Sequence, residues 1–396
     1  MEKGPLAGLR VLEMGQLIAG PLAARMMADF GAEVIKIEPR QGDPLRTWGL
    51  PSEAGSLWSL VQARNKRCIT LDLKKPKAKE VVQRLVQTCD VVIENFRPGK
   101  LEEWGLGYEE LKAVNPKLIM VRISGYGQTG PYRERPGFGN IAESMGGIRY
   151  LTGYPDRPPV RVGLAIGDEI AALHAVIGTL LALKRCGRTG KGQVVDVALT
   201  ESVFNLLEGI LPEYGKYGVI RERTGNILSV AAPSNMYLSK DDKWIAIGAN
   251  GDGIFRRFTA LMGKSELATD PRFLDNPARV AHVQELDEII SAWVRGLDAQ
   301  ETLVKLEKAG VPCGPVYSIA DIVADPQFQA RGMIREFFDP RIGKMLMPGV
   351  VPILSDTPGQ IRWAGPGIGA DNEVIYKELL GLSSEQYEAF QKEEVI

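Results

Sequence analysis

Through the first part of the chain, short runs dense in Val, Ile and Leu alternate with stretches of helical composition. The apolar runs are Leu9–Gly15, Glu33–Pro39, Cys68–Leu73, Asp90–Phe96 and Leu118–Gly127. Between them lie Pro21–Ala32, which carries Gly31 as a helix-stop signal, a Lys- and Val-rich helix near Ala78–Thr88, and a short helix after Tyr108. β-branched runs separated by helices predict parallel strands with both faces covered. The expected fold class is α/β, a doubly wound large domain, in which ligands lie outside the carboxyl ends of the strands. Farther on, Met236–Ala249 predicts a hairpin turned at Asp241-Asp242, followed by helices near Ile254–Met262, Val283–Val294 and Ala299–Ala309. This predicts a smaller α+β domain over 225–330. The large domain then spans 1–224 and is completed by 331–396, which ends in helices with Ser383 and Gln386 placed as a capping box.

Charge and rare residues exclude several chemistries. The 396 residues hold 48 Lys+Arg and 49 Asp+Glu, a net charge of −1, so no nucleic-acid partner is expected. His174 and His282 are the two histidines. A multi-histidine zinc site is impossible, and a Ser-His-Asp hydrolase would need one of these two. His174 lies on an apolar helix face and reads as a core residue; His282 reads as helix surface. Cys68, Cys89, Cys186 and Cys313 are too dispersed for a metal knuckle or a disulfide framework. Free thiols fit a cytoplasmic location. The start, MEKGPLAGLR, lacks the apolar core of a signal peptide. The longest near-apolar run, Ile170–Leu183, is shorter than the ~18 residues that span a bilayer, so no membrane partner is expected.

Gly125-x-Gly127-x-x-Gly130 follows a predicted strand but precedes Pro131 and charged residues, where a dinucleotide site requires a helix. One carboxylate stands out instead. Gly167-Asp168-Glu169 opens a nearly apolar helix and places Asp168 at or beside its N-cap. Asp168 either caps the helix or, kept ionised by the helix field, acts as a covalent nucleophile. Asn250-Gly251-Asp252-Gly253 follows a strand. It reads as a strand-to-helix turn with Asp252 as N-cap, or as a flap whose N–H groups meet an oxyanion. Arg40, Lys74 with Lys75, and Arg97 each follow a strand, a placement that suits a phosphate-bearing ligand.

Taken in order and spacing, Gly20–Glu38, Asn65-Lys66-Arg67, Leu71–Lys74, Glu94–Gly99, Gly125–Tyr132, Gly167-Asp168 and Gly190–Val197 resemble the family III CoA-transferases over nearly the whole chain. The resemblance implies a Rossmann-like large domain, a small domain and an interlocked homodimer. In that dimer one subunit's large domain and its partner's small domain form the active site. It implies Asp168 as the catalytic residue, with CoA contacts at Ile18, Ala19, Arg40, Leu71, Asp72, Leu73, Lys74, Asn95, Phe96 and Arg97. The family's small-domain flap falls on Asn250–Gly253. A CoA thioester is the substrate and no cofactor or metal is permanently bound. The partners are an acyl-CoA and a carboxylic acid.

Two departures bear on the substrate. Oxalate-type members carry glutamine where Ile18 stands, and a CoA-contacting lysine of the family falls on Pro136. Phe96–Gly107, Gly125–Tyr132 and Arg221–Gly225 resemble branches that use succinyl-CoA with dicarboxylic acids. Arg46, Arg133 or Arg135 would then hold a distal carboxylate by a bidentate contact, beside Phe138. The related α-methylacyl-CoA racemases use a histidine where Phe138 stands, and phenylalanine cannot move a proton. A non-catalytic acyl-CoA binding protein on the same scaffold would not require Asp168.

Overall fold

A computed structural model describes residues 4–396, so the first three residues of the N-terminal stretch lie outside the described residues. Six strands form one parallel sheet: β1 Arg10–Glu13, β2 Glu33–Glu38, β3 Lys66–Thr70, β4 Val91–Glu94, β5 Ile119–Ser124 and β6 Gln193–Ala198. Their spatial order is β3-β2-β1-β4-β5-β6, with parallel register at every neighbouring pair. The winding reverses between β1 and β4. At such a switch point the connections leave in opposite directions and open a crevice at the carboxyl ends of the strands.

Successive strand residues serve opposite faces. Leu12, Ile35, Ile69, Val92 and Met120 pack with helix α2 (Pro76–Val86) and with Tyr376 and Val395 from the C-terminal part. Val11, Val34, Val91, Ile119 and Val121 pack with α1 (Ala19–Asp29) and α4 (Ile166–Thr189). Between α2 and α4 lies the short α3 (Gly139–Met145). The contact faces of α1 and α4 are mostly alanine, which lets both helices approach the sheet closely.

Two boundaries differ from the sequence reading for clear reasons. β3 starts at Lys66, ahead of the apolar run, because Lys66 and Arg67 already pair with Val34 and Ile35 of β2. Helix α4 starts at Ile166 and runs 24 residues, so it is long and apolar enough to cross a membrane by length and composition. This corrects the estimate taken from Ile170–Leu183. Ile170, Ala171, Ala172, Ala175 and Ala182 bury one face in the large core, while Leu173, Ile177, Leu180 and Leu181 are exposed.

The chain divides into two compact units. One contains residues up to 148, 162–215 and the chain from 330 onward; the other contains 149–161 and 216–329. The second unit holds the antiparallel strands β7 (Ser234–Leu238), β8 (Trp244–Gly248) and β9 (Cys313–Pro315). Helices α5 (Asp252–Leu261), α6 (Val283–Arg295) and α7 (Ala299–Lys308) cover them through Phe255, Phe258, Ile290 and Leu306. The C-terminal part first forms a hairpin, β10 (Ile334–Asp339) with β11 (Gly343–Pro348), which the sequence reading did not contain. It ends in α8 (Ser384–Lys392). There Ser383 Oγ accepts from the Gln386 amide at 3.2 Å and Gln386 Oε1 accepts from the Ser383 amide at 2.9 Å.

Candidate active site

After β1 the chain turns sharply into α1, and Leu17 sits in the left-handed region at φ 62°. A branched side chain pays strain there and keeps the conformation only if its surroundings impose it. Here they do. The Leu17 amide donates to both oxygens of Asp43, at 3.0 and 3.2 Å. The Gln16 amide donates to Asn95 Oδ1, and Asn95 Nδ2 donates back to the Gln16 carbonyl, each at 2.8 Å. The side chain of Asn95 therefore ties the end of β4 to the end of β1, across the switch point.

Asp43 is itself held by a buried charge cluster. Lys36 Nζ donates to Asp43 and Glu13 at 2.8 Å and to the Gly15 carbonyl at 2.9 Å. The other Glu13 oxygen accepts from Lys66 Nζ at 2.6 Å. Burial alone would lower the pKa of Lys36, but Glu13 and Asp43 outweigh it and hold the ammonium above its usual range. Lys66 lies below its usual range, because burial and the nearby Lys36 outweigh its share of Glu13. Removing one member would strand a buried charge, which is far costlier than losing a surface pair. The cluster is a rigid base for the Gln16–Ala19 turn. Its sequence signal was Glu13 and Lys36 standing inside otherwise apolar strand segments; Lys66, ahead of the apolar run, carried none.

Two clefts open at this end of the sheet. The larger, about 680 Å³, is lined by Arg40, Leu71, Asp72, Leu73, Lys74, Lys75, Phe96 and Arg97, among others. The smaller, about 150 Å³, is lined by Ile18, Ala19, Asn95, Phe96, Arg97, Arg135, Phe138 and Asp168, among others. Gln16, Phe96 and Arg97 line both. The basic residues that follow separate strands therefore line one space, and three of its lining residues also line the cleft that holds Asp168. Within the first cleft Arg40 pairs with Glu394 at 3.0 Å.

Asp168 is the third residue of α4, and the N-cap position belongs to Ala165. This corrects the reading of Asp168 as the cap residue. Its half-buried carboxylate lies in the first turn, where exposed N–H groups favour negative charge. It lies so close to the start of α3 that a Cβ on Gly139 would come within 2.0 Å of Asp168 Oδ2. Gly125 and Gly137 make a similar close backbone approach: a Cβ on Gly125 would meet Gly137 Cα at 3.0 Å. Together these glycines let the 125–139 loop lie against the Asp168 carboxylate. Phe138 is the N-cap residue of α3 and is 65% exposed. Among the described residues, no His lines the Asp168 cleft, and no three His, Cys, Asp or Glu side chains group as metal ligands.

Other candidates lie elsewhere. Arg46 is engaged with Glu38 at 2.7 and 2.9 Å and with the Pro366 carbonyl at 3.0 Å, so it buttresses the β2 end and does not line the Asp168 cleft. Arg133 pairs with neighbouring Glu134 at 3.1 Å and is also outside that cleft. Asn250–Gly253 lies in the second unit as the turn from β8 to α5. Its cap is Gly251, which corrects Asp252. The turn is tied down by the fully buried Arg279, which donates to the Asn250 carbonyl at 2.6 Å and to Asp252 at 2.7 Å. His174 is in α4 as expected, but its Nδ1 is buried without a hydrogen-bond partner among the described residues.

Glu94, at the end of β4, holds the backbone of Phe96, which lines both clefts. Its Oε2 accepts from the Phe96 amide and its Oε1 from Arg122, both at 2.7 Å, and Arg122 continues to Glu102 at 2.6 Å. Burial pushes the Glu94 carboxyl up to about 7 against the pull of Arg122, with Glu102 reinforcing the rise. The folded protein thus binds this proton more tightly than the unfolded chain. Glu94 accordingly withdraws stability as pH rises from the ordinary glutamate range to about 7. Only the ionised form pairs fully with Arg122 and the Phe96 amide. If these clefts bind the acyl-CoA that the resemblance implies, its KM is expected to rise several-fold as pH falls through 7, whereas Glu94→Gln shows a raised KM with no such inflection. Initial rates across pH 5.5–8.5 for both proteins check this; identical profiles would remove Glu94 from the account.

A family model, CoA-transferase family III, matches residues 6–372. The chain belongs to CoA-transferase family III. The succinyl-CoA–D-citramalate CoA-transferase of Chloroflexus aurantiacus is 52% identical over 394 residues, 99% of this chain and 98% of the relative. The succinate–glutarate CoA-transferase of Agrobacterium fabrum is 38% identical over 95% of this chain and 96% of its own length. Among solved structures, a CaiB/BaiF family protein from Brucella suis superposes with a TM-score of 0.84 at 39% identity, covering 96% of this chain and all of that one.

Proposed function

We propose that this protein transfers CoA from succinyl-CoA to a second dicarboxylic acid, with Asp168 as covalent nucleophile. The observation that carries this reading is that Gln16, Phe96 and Arg97 line both clefts, and the reading takes them as the neck between the two. One ligand can lay its phosphates among Arg40, Lys74 and Arg97, pass its thiol arm through the neck and deliver a thioester to Asp168. Ile18 and Ala19, at the start of α1, and Asn95 border that delivery point. Leu71, Asp72 and Leu73 line the wall for the nucleotide end. The choice of acids is supported by the relatives, whose names pair succinyl-CoA or succinate with citramalate and glutarate.

The chemistry proceeds in two exchanges. An Asp168 oxygen attacks the thioester carbonyl, the C–S bond breaks, and CoA leaves as thiolate from a mixed anhydride. The thiolate then attacks the aspartyl carbonyl and the aspartyl C–O bond breaks. The donor acid leaves with that oxygen, and an aspartyl-CoA thioester remains. The acceptor carboxylate repeats both steps in reverse. Each step passes negative charge through a carboxylate, a thiolate or a tetrahedral oxyanion, which the helix field of α4 and Arg97 at the neck would stabilise. Water must be kept from the anhydride, which it would hydrolyse.

The same reading includes a cytoplasmic homodimer. The exposed Leu173, Ile177, Leu180 and Leu181 of α4 form an apolar face that a second copy would cover. Asn250–Gly253 enters through the family arrangement, in which a partner's small domain contributes to the site. The test is to incubate the protein with succinyl-CoA alone, quench with hydroxylamine and map the peptides by mass. A hydroxamate confined to the peptide carrying Asp168 is expected; an unmodified Asp168 with turnover intact would overturn the proposal.

A further inference from the structure

Both acids in the proposed exchange carry a second carboxylate, and both pass through the same small cleft. We infer that Arg135 is the single cation that reads this distal carboxylate, for the donor acyl group and for the acceptor acid alike. The inference rests on the transfer reading above and adds to it the residue that sets acid specificity.

The placement singles out Arg135. It lines the Asp168 cleft but not the larger cation-lined one. Of the three arginines that sequence offered, Arg46 is taken up by Glu38 and Arg133 by Glu134. Arg135 has no carboxylate partner among the described residues. Its guanidinium lies 3.6 Å from the Tyr132 ring centroid, and Tyr132 in turn meets Tyr126 edge-on at 6.0 Å between centroids. Stacking fixes the plane of the guanidinium while leaving its N–H edge available for a bidentate contact. The Arg135 amide donates to the Tyr132 carbonyl at 2.9 Å, which holds the backbone in the same turn. Arg97 also borders the cleft, but it lines the neck and faces the space assigned to CoA.

The chemistry follows from the ping-pong order. The first acid must leave before the second enters, so one cation can serve both in turn. A butyryl group, which matches succinyl in length but ends in a methyl, would give the exposed Arg135 no carboxylate to pair with. A charge-assisted bidentate contact discriminates by about 10- to 100-fold.

The experiment measures donor acid released in a single turnover without acceptor, from succinyl-CoA and from butyryl-CoA, together with the inhibition constant of free CoA. Arg135→Gln is expected to cut the preference for succinyl-CoA over butyryl-CoA by at least about tenfold, with CoA inhibition unchanged. Arg135→Lys is expected to restore part of that preference. Arg97→Gln serves as the contrast and is expected to weaken CoA inhibition. An unchanged preference in Arg135→Gln, or an equal loss with both thioesters, overturns the assignment while leaving the transfer reading intact. If the unsubstituted protein releases no acid from either thioester, the transfer reading fails and this inference falls with it.

Discussion

Asp168→Asn is expected to lower CoA transfer by about 10⁴-fold or more, the size of loss seen when a covalent nucleophile is removed. The amide is nearly the same shape as the carboxylate, so it fits the space against Gly139 and leaves the first turn of α4 in place. An amide oxygen is too weak a nucleophile to open a thioester. Since Ala165 holds the N-cap position, the substitution does not remove a cap. Unfolding stability is therefore expected to change by less than ~1 kcal/mol. Affinity for free CoA is expected to stay within about threefold, because the proposed nucleotide site is the other cleft. Transfer assays, thermal unfolding and CoA titration on the same preparation read all three quantities. Retained turnover would establish a non-catalytic role for Asp168 and favour another nucleophile; collapse of the fold would return the residue to scaffolding. Asp168→Ala repeats the test without an amide.

The layered architecture was legible because strand periodicity and helix stops are local signals. Val11 and Leu12, or Val91 and Val92, alternate between faces as a buried parallel strand requires. What sequence could not supply was pairing between distant side chains. Nothing in a string of letters says that Arg46 is already bound to Glu38, or that Glu13 sits between Lys36 and Lys66. Arg135 looked no different from Arg133 until the turn at Tyr132 directed one into the cleft and left the other beside Glu134. β10 and β11 were hidden for another reason. β10 breaks the period of two, with Arg335 and Glu336 both exposed and Asp339 buried, and the hairpin packs through only Phe337, Met345 and Met347. Asp168 was visible as a carboxylate opening an apolar helix, but its register was not, because the helix begins at Ile166, one residue ahead of the glycine that seemed to begin it.

Gly139→Ala is expected to lower transfer by about 10²-fold while leaving the fold nearly untouched, and the reason is steric. Gly139 has ordinary helical backbone, so an alanine there meets no φ penalty. The added methyl would come within 2.0 Å of Asp168 Oδ2 and 2.8 Å of its Cγ. Something must move, and the cheapest mover is the short carboxylate arm, which can rotate about χ1 without disturbing either helix. A displacement of about 1 Å from attack geometry costs on the order of 10²-fold in rate. Stability depends on the packing of α3 and α4, which that rotation spares. Gly167→Ala makes the contrast. Its Cβ would meet the Gly139 carbonyl at 3.0 Å and Glu143 Cγ at 3.3 Å, and the backbone contact cannot rotate away. That variant should lose melting temperature as well as activity. Gly163→Ala, where nothing lies within 4 Å, should lose neither. If Gly139→Ala keeps full activity, the nucleophile does not work from the position it holds beside α3, and the attack geometry drawn from this cleft is wrong.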